Sequence, residues 1–226
     1  FVFRMMSKGD MILPKDGIIA APNQLAERLG VERIHLNSHV NIVNDTMIEI
    51  DGKPSSFDAV IRAFNSQQHL EKRHVWTLHF DAESSPLTTQ HVLLNGDVKL
   101  HNGLIAHLAV PSDIQPTYAP PGRSLVTVTV VGERAEAAGC TDAAAVEAAV
   151  RQELALWFPS SSPAWRLLAT QHIEHALPEV GSDCILESEP RINGFECGDH
   201  TLHGSVEGAL QSAESVAKAV DAYVRG

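Results

Sequence analysis

The residues best placed to do chemistry lie near the end of the chain, in "FECGDHTLHGSVEGALQSAESVAKAV", Phe195 to Val220. A short apolar run meets Gly198-Asp199, a polar loop follows, and a helical pattern begins at Ser205. Ser205 is a good N-cap, and the first turn of a helix leaves N–H groups unsatisfied at the positive end of the helix dipole. Such a tip suits a phosphate or the electron-rich edge of a ring. Gly208 in the first turn costs roughly 1 kcal/mol relative to Ala, a cost that makes sense if something approaches the backbone closely. Gly198 offers the same access at the strand end, and Asp199 is an acceptor for a ligand hydroxyl. The plainer alternative is a turn followed by a helix packed tightly on a sheet, and spacing alone favours it.

Other candidates are weaker. His172 and His175 are three apart with Glu174 between them, but two ligands need a third from elsewhere, and the spacing is not His-Glu-x-x-His. No metal site is expected. His200 and His203, in the Gly-Asp loop, read as residues that line or cover a bound group. Gly-x-Ser-x-Gly is absent. Cys197 falls on a buried strand, where packing is its expected role. Trp76, Leu78 and Phe80 read as core rather than as a substrate channel.

Composition narrows the field. With 226 residues and 44% apolar content, the chain can bury a real core. Its formal charge of −11 argues against nucleic acid or an anionic membrane surface as the main partner. No apolar run approaches a membrane span, and no signal peptide is visible. Cys140, Cys184 and Cys197 have no close spacing and read as reduced thiols, which points to a cytoplasmic protein. The chain opens on Phe1 in sequence that already reads as structured, and is expected to begin inside a longer gene product.

Elements must position the terminal motif. "PNQLAERLG" reads as a short helix closed by Gly30. "RIHLNSHVNIV" alternates, with turns at Asn44-Asp45 and Asp51-Gly52, and "DAVIRAF" reads as a third, more buried strand. Strands follow at "VWTLHF", "LIAHLAV" and "SLVTVTVVG", with a hairpin signal at Asn95-Gly96. "PSDIQPTYAPPG" is too proline-rich for regular structure. Asp142 caps a helix whose stripe is Val146, Val150, Leu154 and Trp157. "WRLLATQHIEHALP" is ambiguous between helix and strand. The last helix has the stripe Val206, Leu210, Ala213, Ala217, Val220 and Val224, with Glu214 and Lys218 paired on its wet face.

The terminal stretch resembles the C-terminal flavin motif of the FAD-dependent amine oxidase and phytoene desaturase-like superfamily. Gly198, Asp199, Gly204, Ser205, Val206, Glu207, Gly208, Ala209 and Ser212 match in order, while Ala213 stands where that family usually has Gly. "LPKDGIIAAPNQLAERL" is similar to its Pro-Gly-Gly-Met segment and helix, with Gly17 kept. "HLNSHVNIV" is similar to the strand that meets the adenine ring, at Val40. The resemblance implies FAD as cofactor, held by Val40, Gly198, Asp199, Ser205, Val206, Gly208 and Ala209. Gly198 and Asp199 would lie near the pyrophosphate and ribityl chain, and the helix tip at Ser205 and Val206 would face the flavin pyrimidine edge. His175 is then a weak candidate for a polar group facing the flavin.

The family's N-terminal strand–Gly-x-Gly-x-x-Gly–helix is missing from these residues, and Arg62 and Phe64 depart from the small residues usual at that strand end. The expected fold is α+β: part of an α/β FAD-binding domain plus a mixed-sheet substrate domain with helices. The expected division is an FAD-domain segment at 1–66, a substrate-binding domain at 67–185, and an FAD-domain strand and helix at 186–226. The expected function is the C-terminal part of an FAD-dependent oxidoreductase acting on an apolar or amine-type small molecule by hydride transfer. Its expected partner is an N-terminal dinucleotide-binding segment or subunit, in a hetero-oligomer if separate. The alternative is a non-catalytic subunit or ligand-binding scaffold of the same ancestry that no longer binds FAD by itself.

Overall fold

A computed structural model describes residues 10–64, 72–96, 103–178 and 195–226. The chain divides into two compact units, Phe1–Val31 with His74–Glu174, and Glu32–Arg73 with His175–Gly226. The architecture is α+β, and among the described residues no helix is long and apolar enough to cross a membrane.

The first unit is built on a five-stranded sheet. Its strands are β5 (Lys72–Ala82), β6 (Leu93–Leu94), β7 (Ile105–Ala109), β8 (Ser124–Val131) and β9 (Arg166–Pro178), in the order β6-β7-β8-β5-β9. Alternation decides which face is buried. Trp76, Leu78 and Phe80 of β5 lie opposite Val130, Val128 and Val126 of β8, and all six are buried. The helix Ala143–Trp157 closes this face with Val146, Val150 and Leu154. Asp142 caps it by accepting the Ala145 N–H at 2.9 Å. Each such apolar side chain contributes about 1.5–3 kcal/mol when fully buried. The helix Ala20–Leu29 also groups with this unit.

Several local expectations need correction here. The Pro-rich stretch is not irregular. It forms a short helix, Pro111–Ile114, and a 3-10 turn, Pro116–Tyr118, each with Pro in its first turn. A proline ring presets the helical φ there, and its missing N–H would have been unpaired anyway. A further helix, Gly132–Ala137, follows β8 directly. The ambiguous "WRLLATQHIEHALP" is extended, as β9. Leu93 and Leu94 pair with Leu108 and His107 of β7. The strand expected just after Asn95-Gly96 falls on 97–102, outside the described residues, as does Cys184.

In the second unit, β1 (Val40–Asn44), β2 (Met47–Ile50) and β3 (Lys53–Ser56) form an antiparallel meander. Asp51 and Gly52 turn it with φ of 50° and 78°. Two left-handed residues in succession match the right-handed twist of a tight hairpin. The alternation from Ile34 onward becomes strand only at Val40, because Val31–Arg33 is a 3-10 turn and Asn37 takes φ 56°. "DAVIRAF" supplies a shorter and more exposed strand than expected, β4 (Ile61–Arg62). It pairs in parallel with β10 (Phe195–Glu196).

The terminal helix runs Val206–Arg225, with Lys218 donating to Glu214 at 2.7 Å. Its buried residues are Gly208 and Ser212, while Val206, Leu210 and Val224 of the apolar stripe are exposed. The helix buries these small residues, and Val216 and Val220 are half-buried.

Candidate functional site

The Gly-Asp bend is built from the strand upward. β4 and β10 run side by side, and the Cys197 N–H donates to the Arg62 carbonyl at 2.9 Å. The chain then breaks direction at Gly198, with φ 148°. A Cβ there would run into the His200 ring, so glycine is required on both backbone and packing grounds.

Ser212 of the terminal helix fastens the bend. Its Oγ accepts the Gly198 N–H at 2.9 Å and lies 3.1 Å from the Gly198 carbonyl and 2.9 Å from the Ala209 carbonyl. A hydroxyl carries one hydrogen, so it donates to one of those carbonyls at a time. Thr201 Oγ1 also donates to the Gly198 carbonyl, at 2.8 Å. The backbone groups of Gly198 are therefore spent inside the protein. The Asp199 carboxylate, 38% exposed, is what the bend presents outward.

The helix tip is arranged similarly. Ser205 Oγ accepts the Gly208 N–H at 3.0 Å, and the Ser205 carbonyl accepts the Ala209 N–H at 3.0 Å. Among the described residues the Val206 and Glu207 N–H groups have no partner, at the end of the helix where the dipole carries roughly half a positive charge. The Val206 side chain is 66% exposed. The close approach that Gly208 permits is made from within the chain, since a Cβ there would strike the His203 carbonyl. His203 Nδ1 lies 2.9 Å from Ser205 Oγ.

Under the bend is a pair that sequence reasoning missed. His200 Nε2 lies 2.9 Å from Glu196 Oε1, with the side chains 6% and 10% exposed, and His200 Nδ1 is 3.9 Å from Asp199 Oδ1. His200 is thus turned inward and does not line an open face. The usable signal was a glycine two residues before a histidine, leaving room for its ring. A buried pair of this kind is weak evidence of net stability, but breaking one partner leaves an uncompensated charge. Burial, aided by Glu196, pushes the Cys197 thiol up, which keeps it protonated and unreactive.

The remaining expected residues lie elsewhere. Val40 is the first, exposed residue of β1, opposite Ile50. His175 is exposed near the end of β9. A strand does not bring residues three apart to one face, so His172 and His175 are not a ligand pair. His172 instead stacks on Trp76, with centroids 4.2 Å apart, and contacts His74 Nδ1 at 2.8 Å. No group of His, Cys, Asp and Glu able to hold a metal occurs among the described residues.

The bend and the tip together present groups of a kind that a hydroxyl-bearing ligand with an electron-rich ring could use. Asp199 offers an outward acceptor for hydroxyls, and the Val206 and Glu207 N–H groups offer a positive edge to a ring that gathers negative charge. Gly198, Ser205, Gly208 and Ala209 build the frame of this region through their hydrogen bonds with Ser212, Thr201 and one another.

The family model for flavin containing amine oxidoreductase matches residues 1–221. An oxidoreductase from Methanosarcina mazei is similar in fold, with TM-score 0.60 and 18% identity over 82% of this chain and 50% of that one. A protein from Pyrococcus furiosus is similar at TM-score 0.60 and 15% identity, covering 90% of this chain and 53% of that one. A triple mutant of putrescine oxidase, made to redesign cofactor binding, is similar at TM-score 0.63 and 15% identity, covering 94% and 54%. The chain spans about half the length of these structures. No curated protein matches it.

Proposed function

Because the chain belongs to the flavin containing amine oxidoreductase family, we propose that it is the C-terminal part of an FAD-dependent oxidoreductase. The second unit contributes to holding FAD, and the first unit shapes the substrate pocket. When bound, FAD supplies the acceptor for a hydride from a substrate C–H bond next to nitrogen or in an apolar skeleton. The chain's own residues bind and orient: Asp199 takes ribityl or ribose hydroxyls, and the tip at Val206 stabilises charge on the ring edge. Val40 meets the adenine side, and His175 is the candidate polar group toward the ring. The missing dinucleotide-binding segment is the partner, covering the exposed apolar side of the terminal helix. With its thiols reduced, the protein works in the cytoplasm.

The observation that carries this reading is the fastening of the Gly198 bend to the terminal helix by Ser212, with the partly exposed Asp199 carboxylate on the bend and the capped helix start following it. The test is to combine the chain with the dinucleotide-binding segment and FAD. A yellow complex with structured flavin absorbance is expected, and Asp199→Ala should weaken flavin retention. A folded, colourless complex would favour the second reading, a non-catalytic scaffold. Arg62 favours that reading, since its strand ends directly beside the Gly198 bend.

A further inference from the structure

The five-stranded sheet has a second face, turned away from the helix Ala143–Trp157. It carries Thr77, His79, His107, Thr127 and Thr129, all half-buried. Strand register puts Thr77 opposite Thr129 and His79 opposite Thr127. His107 lies opposite Thr129 from the other side.

His107 does not reach this face by simple alternation. Ile105 is fully buried in the core, so the residue two further on would point into the core as well. The register shifts between Ile105 and His107, a β-bulge, and Leu108 then returns to the core. The bulge is deliberately held. Glu153 accepts the Leu104 and Ile105 N–H groups at 2.8 and 3.0 Å. Asn95 Nδ2 donates to the Ile105 carbonyl at 2.8 Å and meets Glu153 Oε1 at 2.8 Å. Bulges re-aim side chains, and they gather near functional sites. Here the re-aimed side chain is His107.

Its surroundings define what it can meet. Among the described residues, none hydrogen-bonds to the His107 ring. His79, by contrast, is engaged by Thr127 Oγ1 at 3.0 Å and by Gln171. Burial lowers the pKa of both imidazoles, so both are neutral near pH 7. Asp81, further along β5 on the same face, is bridged by Arg123 at 2.7 Å and Arg166 at 3.0 Å. Among the described residues of this face, an ammonium ion that loses water would find no carboxylate without an arginine partner. Hydroxyls and neutral imidazoles both donate and accept.

We infer that this face is a ligand-binding floor, with His107 as its hydrogen-bonding group, for an uncharged hydroxyl- or carbonyl-bearing small molecule rather than an ammonium ion. Calling that ligand the substrate rests on the flavoenzyme reading above. The floor itself rests on the bulge.

The test is a titration of the full chain, with histidine ring carbons labelled, against matched probes at neutral pH. Butane-1,4-diol and butyramide stand for the uncharged class, and butane-1,4-diammonium stands for the cation. The neutral probes should shift the His107 ring signals, and the diammonium should not. His107→Leu should weaken neutral-probe binding about tenfold, His107→Gln should keep it within about threefold, and Thr129→Val should weaken it severalfold. Unfolding midpoints of the variants separate lost binding from lost structure. Equal or tighter binding of the diammonium, an unmoved His107 signal with every probe, or unchanged binding in His107→Leu would overturn the inference. Flavin absorbance on the same sample keeps the two readings apart: a yellow protein with a silent His107 fails only this one.

Discussion

Leu78, Phe80, Val126, Val128 and Val130 of the first unit are fully buried, whereas the second unit's buried apolar side chains among the described residues are Phe195 and Cys197, each 7% exposed. The first unit is held by a packed interior between sheet and helix. The second is held by specific polar fastenings, Ser212 on Gly198 and Glu196 on His200, together with an edge contact between the Phe195 and Tyr223 rings. Its terminal helix keeps Val206, Leu210 and Val224 outside. One chain therefore contains a part with a packed apolar interior and a part that, among the described residues, has almost none, while both leave large apolar side chains exposed. The exposed apolar side of the terminal helix suits the proposed dinucleotide-binding segment, because apolar surface of this kind is normally buried against something.

Phe80→Ala attacks the contrast most strongly. It should cost about 3–5 kcal/mol, measured by urea unfolding, because a large cavity would open in a tight core. Leu210→Ser on the exposed side of the terminal helix should stay within about 0.5 kcal/mol in the chain by itself. If both lose the same stability, the two units do not differ in the way described. Ser212→Ala comes next. It leaves the buried Gly198 N–H without its acceptor, which should cost about 1–3 kcal/mol. Amide exchange at Gly198 should quicken while the Val128 amide is unchanged.

The smallest effect is on pH dependence. The folded pKa values of His79 and His107 lie below the ordinary 6.5. The unfolded state then binds more protons, so stability rises with pH across this window. What neutral burial permits is fully present above the unfolded pKa and declines as pH falls toward the folded values. The first unit's thermal midpoint should drop modestly between about pH 7.5 and about pH 5.5, and His107→Gln should flatten that slope.

Local chemistry was what the sequence revealed well. Asp142 and Ser205 cap their helices, Asp51-Gly52 turns its hairpin, and the alternation in β5 and β8 lies on the buried face, because each depends on neighbours within a few residues. What depended on the third dimension was harder to read. The terminal helix looked as though it would bury its large apolar stripe, yet it docks through Gly208 and Ser212, since only small residues allow the loop carbonyl and the Gly198 bend so close. The His107 bulge left a trace that went unused. Ile105 and Leu108 both reach the core although three apart, an odd spacing in a strand that only a bulge reconciles. At the Gly-Asp motif the residue types were legible, but their division between frame and open groups was not, because that is settled by which partner each N–H finds.

The parallel pairing of Ile61–Arg62 with Phe195–Glu196 joins segments separated by most of the chain, with the first unit's strands between them. Closing so long a loop carries an entropic penalty before any contact rewards it, and contacts of high sequence separation slow folding. On a ribosome, the sheet and helix of the first unit emerge complete while β4 still waits for its neighbour. An order of assembly is thereby written into the connectivity: the first unit's interior precedes the pairing of β10 with β4.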